Sequence, residues 1–207
     1  MNLILGSQSP RRRELLERRG LSFQVLTAEI DETQYETDDP ETSVRAICRA
    51  KARAVACQIQ NTAGGQAEAE DALIITADTI VVLDGRIMGK PHDAAEARAM
   101  LKALSGREHA VYTAFTLLPA GTRNEAYTHC EKTRVKFRDL TDAEIAAYVA
   151  TGEPMDKAGA YGIQNLGAML VESIRGDYFT VMGLPVCRLA QALKQFGIDP
   201  LAPKLEL

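Results

Sequence analysis

Several residues in this chain have the types and spacing to handle a phosphorylated ligand. Ser7-Gln8-Ser9-Pro10 reads as a helix start, with Ser9 as N-cap and Pro10 in the first helical position. Arg11 and Arg12 then fall in the first turn, where a cation opposes the helix dipole at about 0.3–1 kcal/mol each. A bound anion reverses that sign: free backbone N–H groups, Ser7, Ser9 and two guanidiniums would together cradle phosphates. The alternative is a solvated basic helix start, since Arg13, Arg18 and Arg19 follow. Asp78 lies inside LIITADTIVVL, residues 73–83, where a carboxylate is costly unless paired or bound to metal. An acid there is a candidate general base or metal ligand, or else a partly exposed strand position. Lys51 shares a helical stripe with Val44, Cys48 and Val55, so it either snorkels or reaches into a cleft. Asp31-Glu32 is an acidic pair whose hard oxygens suit Mg²⁺ beside substrate phosphates. Residues 156–164, DKAGAYGIQ, combine glycines, which let backbone approach a ligand, with Gln164, whose amide can read a base edge.

These groups must be held by elements that the same sequence implies. Residues 3–6 read as a short buried strand, the helix of Leu15 and Leu16 ends at Gly20, and residues 23–26 read as a second strand. Residues 42–60 are helical in pattern, and residues 61–71, NTAGGQAEAED, read as an exposed loop. The segment holding Asp78 is the most strand-like in the chain. It meets an Asp84-Gly85 hairpin signal, and counting back from that turn sets Thr79 opposite Lys90, placing Lys90 near Asp78. Residues 93–104 read as a helix, and residues 109–118 and 128–137 as paired strands. Thr141 caps a helix with Glu144 completing a capping box. Residues 169–171 and 179–182 look like strands joined at Gly176-Asp177, and Pro185 opens a last helix. Alternating strands and helices with intruding hairpins predict an α/β fold with a mixed sheet.

Composition bounds the rest. The chain has 207 residues, with 24 Lys and Arg against 28 Asp and Glu, a net charge of −4. That length predicts one domain, taken as residues 1–198, with a loose tail over 199–207. Mild acidity argues against wrapping a nucleic acid polymer, though not against a local basic cavity. Cys48, Cys57, Cys130 and Cys187 form no CxxC pair and read as small buried hydrophobes. His92, His109 and His129 show no metal spacing. No apolar run is long enough to span a membrane and no secretory signal is visible, so the expected location is cytoplasmic with reduced thiols. GxGxxG and GxxxxGK[ST] are both absent.

Six motifs in order carry a resemblance. SQSPRRRELL at 7–16, TADTIVVLDG at 76–85, GKP at 89–91, LSG at 104–106, DKAGAYGIQ at 156–164 and GDYFTVMGLP at 176–185 closely resemble the Maf proteins, nucleoside triphosphate pyrophosphatases. The resemblance implies a mixed, twisted β-sheet flanked by helices around a deep cleft, related in fold to inosine triphosphate pyrophosphatases. It implies Mg²⁺- or Mn²⁺-dependent hydrolysis between the α and β phosphates, giving a nucleoside monophosphate and pyrophosphate. It matches Asp78 to the catalytic aspartate, Arg11, Thr79 and Gln164 to specificity positions, and Ser7, Arg12, Glu32, Lys51 and Lys90 to polar cleft positions. On that basis Ser7, Arg12, Lys51 and Lys90 are expected to hold phosphates, and Glu32 with Asp78 the metal. Asp78-Thr79 and residues 161–164, YGIQ, resemble the branch acting on dTTP and UTP, not the one acting on 7-methyl-GTP. Asn165 stands where that loop often has glycine, a change that asparagine tolerates at positive φ. The family is also linked with septum formation and often forms dimers. The rival expectations are the same chemistry on 7-methyl-GTP or noncanonical purine nucleotides, and a nucleotide-sensing division regulator with little turnover.

Overall fold

The computed structural model describes residues 1–61, 71–121 and 126–202. The body of the loop expected at 61–71, and the last five residues of the expected tail, lie outside the described residues. The chain forms β1 (Asn2–Leu5), α1 (Pro10–Glu17), β2 (Phe23–Val25), α2 (Pro40–Gln60), β3 (Ala72–Leu83), β4 (Arg86–Met88) and α3 (Ala94–Leu104). It continues through β5 (Glu108–Pro119), β6 (Tyr127–Phe137), α4 (Asp142–Ala150), β7 (Val171–Arg175), α5 (Tyr178–Met182) and α6 (Val186–Lys194). The strands make one sheet in the order β2-β1-β3-β5-β6-β7, with β4 added against β3. β1 is parallel to β2 and β3, and the other pairings are antiparallel, so the sheet is mixed as expected.

β3 is the spine. Its twelve residues pair along one edge with β5 over ten consecutive positions, Leu73 to Val82. Its other edge is shared. β1 covers the first part, ending at Leu5 opposite Ile75, and β4 covers the last part, starting at Met88 opposite Val81. Between them, residues 76–80 have no strand on that side. Strands that part in this way leave a crevice at the sheet, the usual place for a ligand in an open α/β fold. Asp78 sits at the middle of the gap.

Alternation along β3 sorts the core. Ile74 packs with Ala52, Val55, Ala56 and Ile59 of α2, and Ile80 and Val82 pack with its Val44 and Cys48, so the long α2 covers one face. On the opposite face Leu73, Ile75 and Ala77 join Leu15, Leu16 and Leu189 in one cluster. Val81 and Leu83 join Leu101, Leu104 and Ile145 in another. Thr79 falls at the boundary between these two clusters.

Several local expectations stand. Ser9 accepts from the Arg12 N–H with Pro10 behind it, and the Thr141–Glu144 capping box closes. Asp84 and Gly85 both take positive φ, 52° and 78°, as a tight hairpin requires. Asn165 takes φ 53°, the geometry at issue where the resembling loops carry glycine.

Others are corrected. Residues 179–182 are helical, not a strand: the Asp177 carboxylate accepts from the Phe179 and Thr180 N–H groups, and Gly183 at φ 110° ends the turn. Capping outweighed the β-branched, aromatic composition that suggested a strand. Met169 and Leu170 belong to a 3₁₀ turn, Asn165–Leu170, and the strand begins only at Val171. Of the cysteines, Cys48 is buried, Cys130 is half-buried, and Cys57 and Cys187 are exposed. Position on a helix face, or for Cys130 on strand β6, decides that outcome, not residue type.

Candidate active site

The gap in β3 opens into a cavity of about 940 Å³. That is ample for a small-molecule ligand. It is walled by the β1–α1 connection, the residues before α2, the β3 gap, residues 87–90 and the loop 156–164. Ser7, Arg11, Arg12, Glu32, Lys51, Asp78, Thr79, Lys90 and Gln164 line it, whereas Asp31, the other half of the acidic pair, does not and caps the following turn by accepting from the Thr33 N–H. These lining residues come from six separate stretches of chain, Lys51 from α2 itself.

Asp78 is 8% exposed and points to the α2 side of the sheet. Its Oδ1 accepts from Lys51 Nζ at 2.7 Å. The same ammonium lies 2.7 Å from Glu32 Oε1. Lys51 therefore reaches into the cleft and does not snorkel away. Burial alone would depress its pKa, but the two carboxylates more than reverse this and raise it. The cation beside Asp78 is Lys51. Lys90 lies past the last β4 pair, exposed at the cavity rim, and forms no ion pair with Asp78. The hairpin register is the one counted from sequence, but pairing stops at Met88, so Lys90 is not pulled onto the strand.

Arg12 behaves differently from a free phosphate clamp. Its Nε donates to the Gly183 carbonyl at 2.8 Å, Nη1 to Ser7 Oγ at 3.1 Å and Nη2 to Thr79 Oγ1 at 3.0 Å. It ties together α1, β3 and the end of α5, and two of its five N–H groups remain for a ligand. The chain of hydroxyls beyond it has a direction. Thr113 Oγ1 donates to the Thr180 carbonyl at 2.7 Å, so it accepts from Thr79 Oγ1 at 2.9 Å. Thr79 thus spends its proton inside the protein and offers a ligand only a lone pair. Burial lowers the Arg12 pKa, against the pull of Asp78, and guanidinium stays charged regardless.

Arg11 Nη1 approaches Asp156 Oδ2 at 3.4 Å, and Asp156 Oδ1 also holds Lys157 Nζ at 2.5 Å. Asp156 and Lys157 line the cavity and carry no role in the sequence reading, although they open the DKAGAYGIQ motif. Gln164 sits at the cavity wall and its amide has no hydrogen-bond partner among the described residues. The lining as a whole holds five cations (Arg11, Arg12, Lys51, Lys90, Lys157) and five carboxylates (Glu29, Glu32, Glu36, Asp78, Asp156). The formal charges of the lining therefore nearly cancel.

The sequence profile of Maf-like proteins matches residues 2–196. The chain belongs to the Maf family. Two curated relatives extend the match. A protein named dTTP/UTP pyrophosphatase from Moorella thermoacetica is 51% identical over 197 residues, 95% of this chain and 96% of the relative. One of the same name from Pelotomaculum thermopropionicum is 46% identical over 199 residues, 96% of this chain and 98% of the relative. Among solved structures, the Staphylococcus aureus Ham1 protein aligns with 96% of this Maf chain and 100% of its own, at 12% identity and a TM-score of 0.49. No described helix of the Maf chain is long and apolar enough to cross a membrane.

Proposed function

We propose that this Maf protein hydrolyses dTTP and UTP to the nucleoside monophosphate and pyrophosphate, with Asp78 as general base. The observation that carries this reading is the position of Asp78. It is a nearly buried carboxylate in the one stretch of β3 that lacks a strand on one side, paired with a lysine, facing a cavity with cations on several walls. The names of relatives at 46–51% identity support the choice of substrates.

In this reading the Asp78 carboxylate takes a proton from water attacking the α-phosphorus, in line with the leaving pyrophosphate. Lys51, Lys90, Arg11 and the two free N–H groups of Arg12 offset charge building on phosphate oxygens. Ser7, whose Oγ already accepts from Arg12, borders the phosphates, while Thr79 and Gln164 face the pyrimidine.

The donor set fits a hard divalent cation. Glu32 and Asp78 converge on one ammonium, two carboxylates are what Mg²⁺ commonly takes from a protein, and phosphates and water complete such a shell. Among the described residues no three Asp, Glu, His or Cys side chains converge, so the substrate must contribute. Mg²⁺ or Mn²⁺ held there would supply charge neutralisation for the triphosphate. With the lining's own charges nearly cancelling, such an ion would offset part of the triphosphate's charge. Residues 1–198 acting as one cytoplasmic unit, alone or as a homodimer, complete the proposal.

The test is pyrophosphate release with Mg²⁺ from dTTP, UTP, ITP and 7-methyl-GTP, with the organic product identified. Monophosphate and pyrophosphate from dTTP and UTP are expected. Turnover confined to 7-methyl-GTP or ITP overturns the substrate assignment and keeps the chemistry. Tight binding with no turnover of any of them overturns the enzyme reading in favour of a nucleotide sensor.

A further inference from the structure

Residues 162–167 form a small closed loop with Gln164 near its tip. The loop closes so tightly that a Cβ on Gly167 would lie 2.0 Å from the Gly162 carbonyl oxygen and 2.7 Å from Tyr148 Oη. Only glycine fits there. Two side chains outside the cavity lining hold both ends of this loop. Gly162 N–H donates to Tyr148 Oη at 3.3 Å, and Tyr148 Oη donates to Glu153 Oε1 at 2.9 Å. The Gly167 N–H donates to the same Oε1 at 3.1 Å, and the Leu166 N–H to Oε2 at 3.3 Å. Glu153 thus accepts three hydrogen bonds from the loop and its anchor, and Asn165 between them is held at φ 53°.

We propose that Glu153, with Tyr148 as its relay, is a specificity-determining positioning residue: it fixes residues 162–167 so that the Gln164 amide meets the nucleobase in one orientation. A carboxylate is the side chain this geometry requires. All three groups facing it are donors, and it accepts on both oxygens, whereas an amide turns one of its ends into a donor facing a donor. Burial, with the Glu153 carboxylate adding to it, pushes the Tyr148 phenol up, so it keeps the proton it donates. Neither residue touches the cavity, which separates their role from that of Gln164. The inference rests on the proposed function, in which Gln164 reads the base.

The test is a double-mutant cycle between Glu153→Gln and Gln164→Ala, read as KM and kcat for UTP and for GTP as a purine comparator. Wild-type preference for UTP is measured first, and its absence overturns the proposed function itself. Given that preference, Glu153→Gln is expected to raise KM for UTP about tenfold with kcat little changed, and to lower discrimination against GTP by a similar factor. In the Gln164→Ala background it is expected to add nothing, because the two act as a unit. Tyr148→Phe, which removes only the relay oxygen, is expected to show a smaller loss with the same dependence on Gln164. Glu153→Asp, which keeps a carboxylate, is expected to restore part of the discrimination. Losses that fall equally on UTP and GTP, or that multiply fully with Gln164→Ala, overturn the inference. A direct readout stands apart from activity. The Leu166 and Gly167 amide proton resonances are expected to move upfield in Glu153→Gln, and unmoved resonances overturn the clip. Should Glu153→Gln fail to fold, Tyr148→Phe decides the outcome by the same cycle.

Discussion

Asp78 and Lys51 show how far single residues carry the chemistry. A carboxylate in the middle of a strand is a local contradiction, and the contradiction is resolved by an ammonium at 2.7 Å that also serves Glu32. Asp78→Asn keeps the shape and removes the proposed base. Pyrophosphate release is expected to fall by about 10²–10⁴-fold, while calorimetric binding of nucleotide survives. Near-normal turnover in that variant removes Asp78 as the base. Lys51→Met leaves two carboxylates without their shared cation. Its melting temperature in chelator is expected to drop, and Mg²⁺ is expected to restore more of it than the same Mg²⁺ adds to the wild type. Equal Mg²⁺ shifts in both proteins remove Glu32 and Asp78 as the ion's holders. Arg12 was legible as a cleft residue from its position in a helix first turn. Its use as a strut between Ser7, Thr79 and Gly183 was not, because Gly183 lies 171 residues away.

Elements account for the stiffness of the site. On β5, His109 is buried, and its Nε2 lies 2.8 Å from Tyr161 Oη while Nδ1 has no partner among the described residues. Burial pushes its pKa down to about 4 from an ordinary 6.5. The folded state thus binds fewer protons than the unfolded chain between those values. This contribution is fully present above pH 6.5 and is lost as pH falls towards 4. The difference corresponds to about 3 kcal/mol. Urea unfolding of the wild type between pH 7.5 and 4.5 is expected to lose stability by about that amount more than His109→Gln does. Parallel pH profiles exclude His109 as a contributor. Gly167→Ala is expected to destabilise the loop 162–167 outright, by about 2–4 kcal/mol or through loss of folding, since the methyl meets backbone at 2.0 Å. Denaturant titration checks this, and a loss under 0.5 kcal/mol excludes so close an approach. Helix and strand types were largely readable because burial periodicity and caps are local signals. The exceptions were α5, five residues whose strand-like composition was overruled by the Asp177 cap, and Met169-Leu170, which lie in a 3₁₀ turn before β7.

At the scale of the molecule, the cavity exists because β1 and β4 share one edge of β3 without meeting. Occupying that gap should couple to global stability, since the walls belong to elements from residue 6 to residue 183. A nonhydrolysable α,β-methylene analogue of UTP with Mg²⁺, at about 100 times its Kd, is expected to add about 2.7 kcal/mol and raise the melting temperature by about 5–10 °C. The analogue without Mg²⁺ is expected to give a smaller shift, because the lining's five cations are offset by five carboxylates. Equal shifts with and without the ion remove the metal from the binding step.

Residue types, caps and the 2.0 and 3.6 periods already contained the alternating α/β plan, the hairpin at Asp84-Gly85 and most of the side chains at the cleft. Those features depend on neighbours within about one turn of helix or one strand. The folded molecule added what depends on distant partners. It set Lys51, not Lys90, against Asp78, ended the β3–β4 ladder at Met88, committed three donors of Arg12 to the protein, and closed residues 162–167 onto Glu153. None of these can be counted along the chain, because each is decided by where a separate element stops and which donor or acceptor it leaves unpaired.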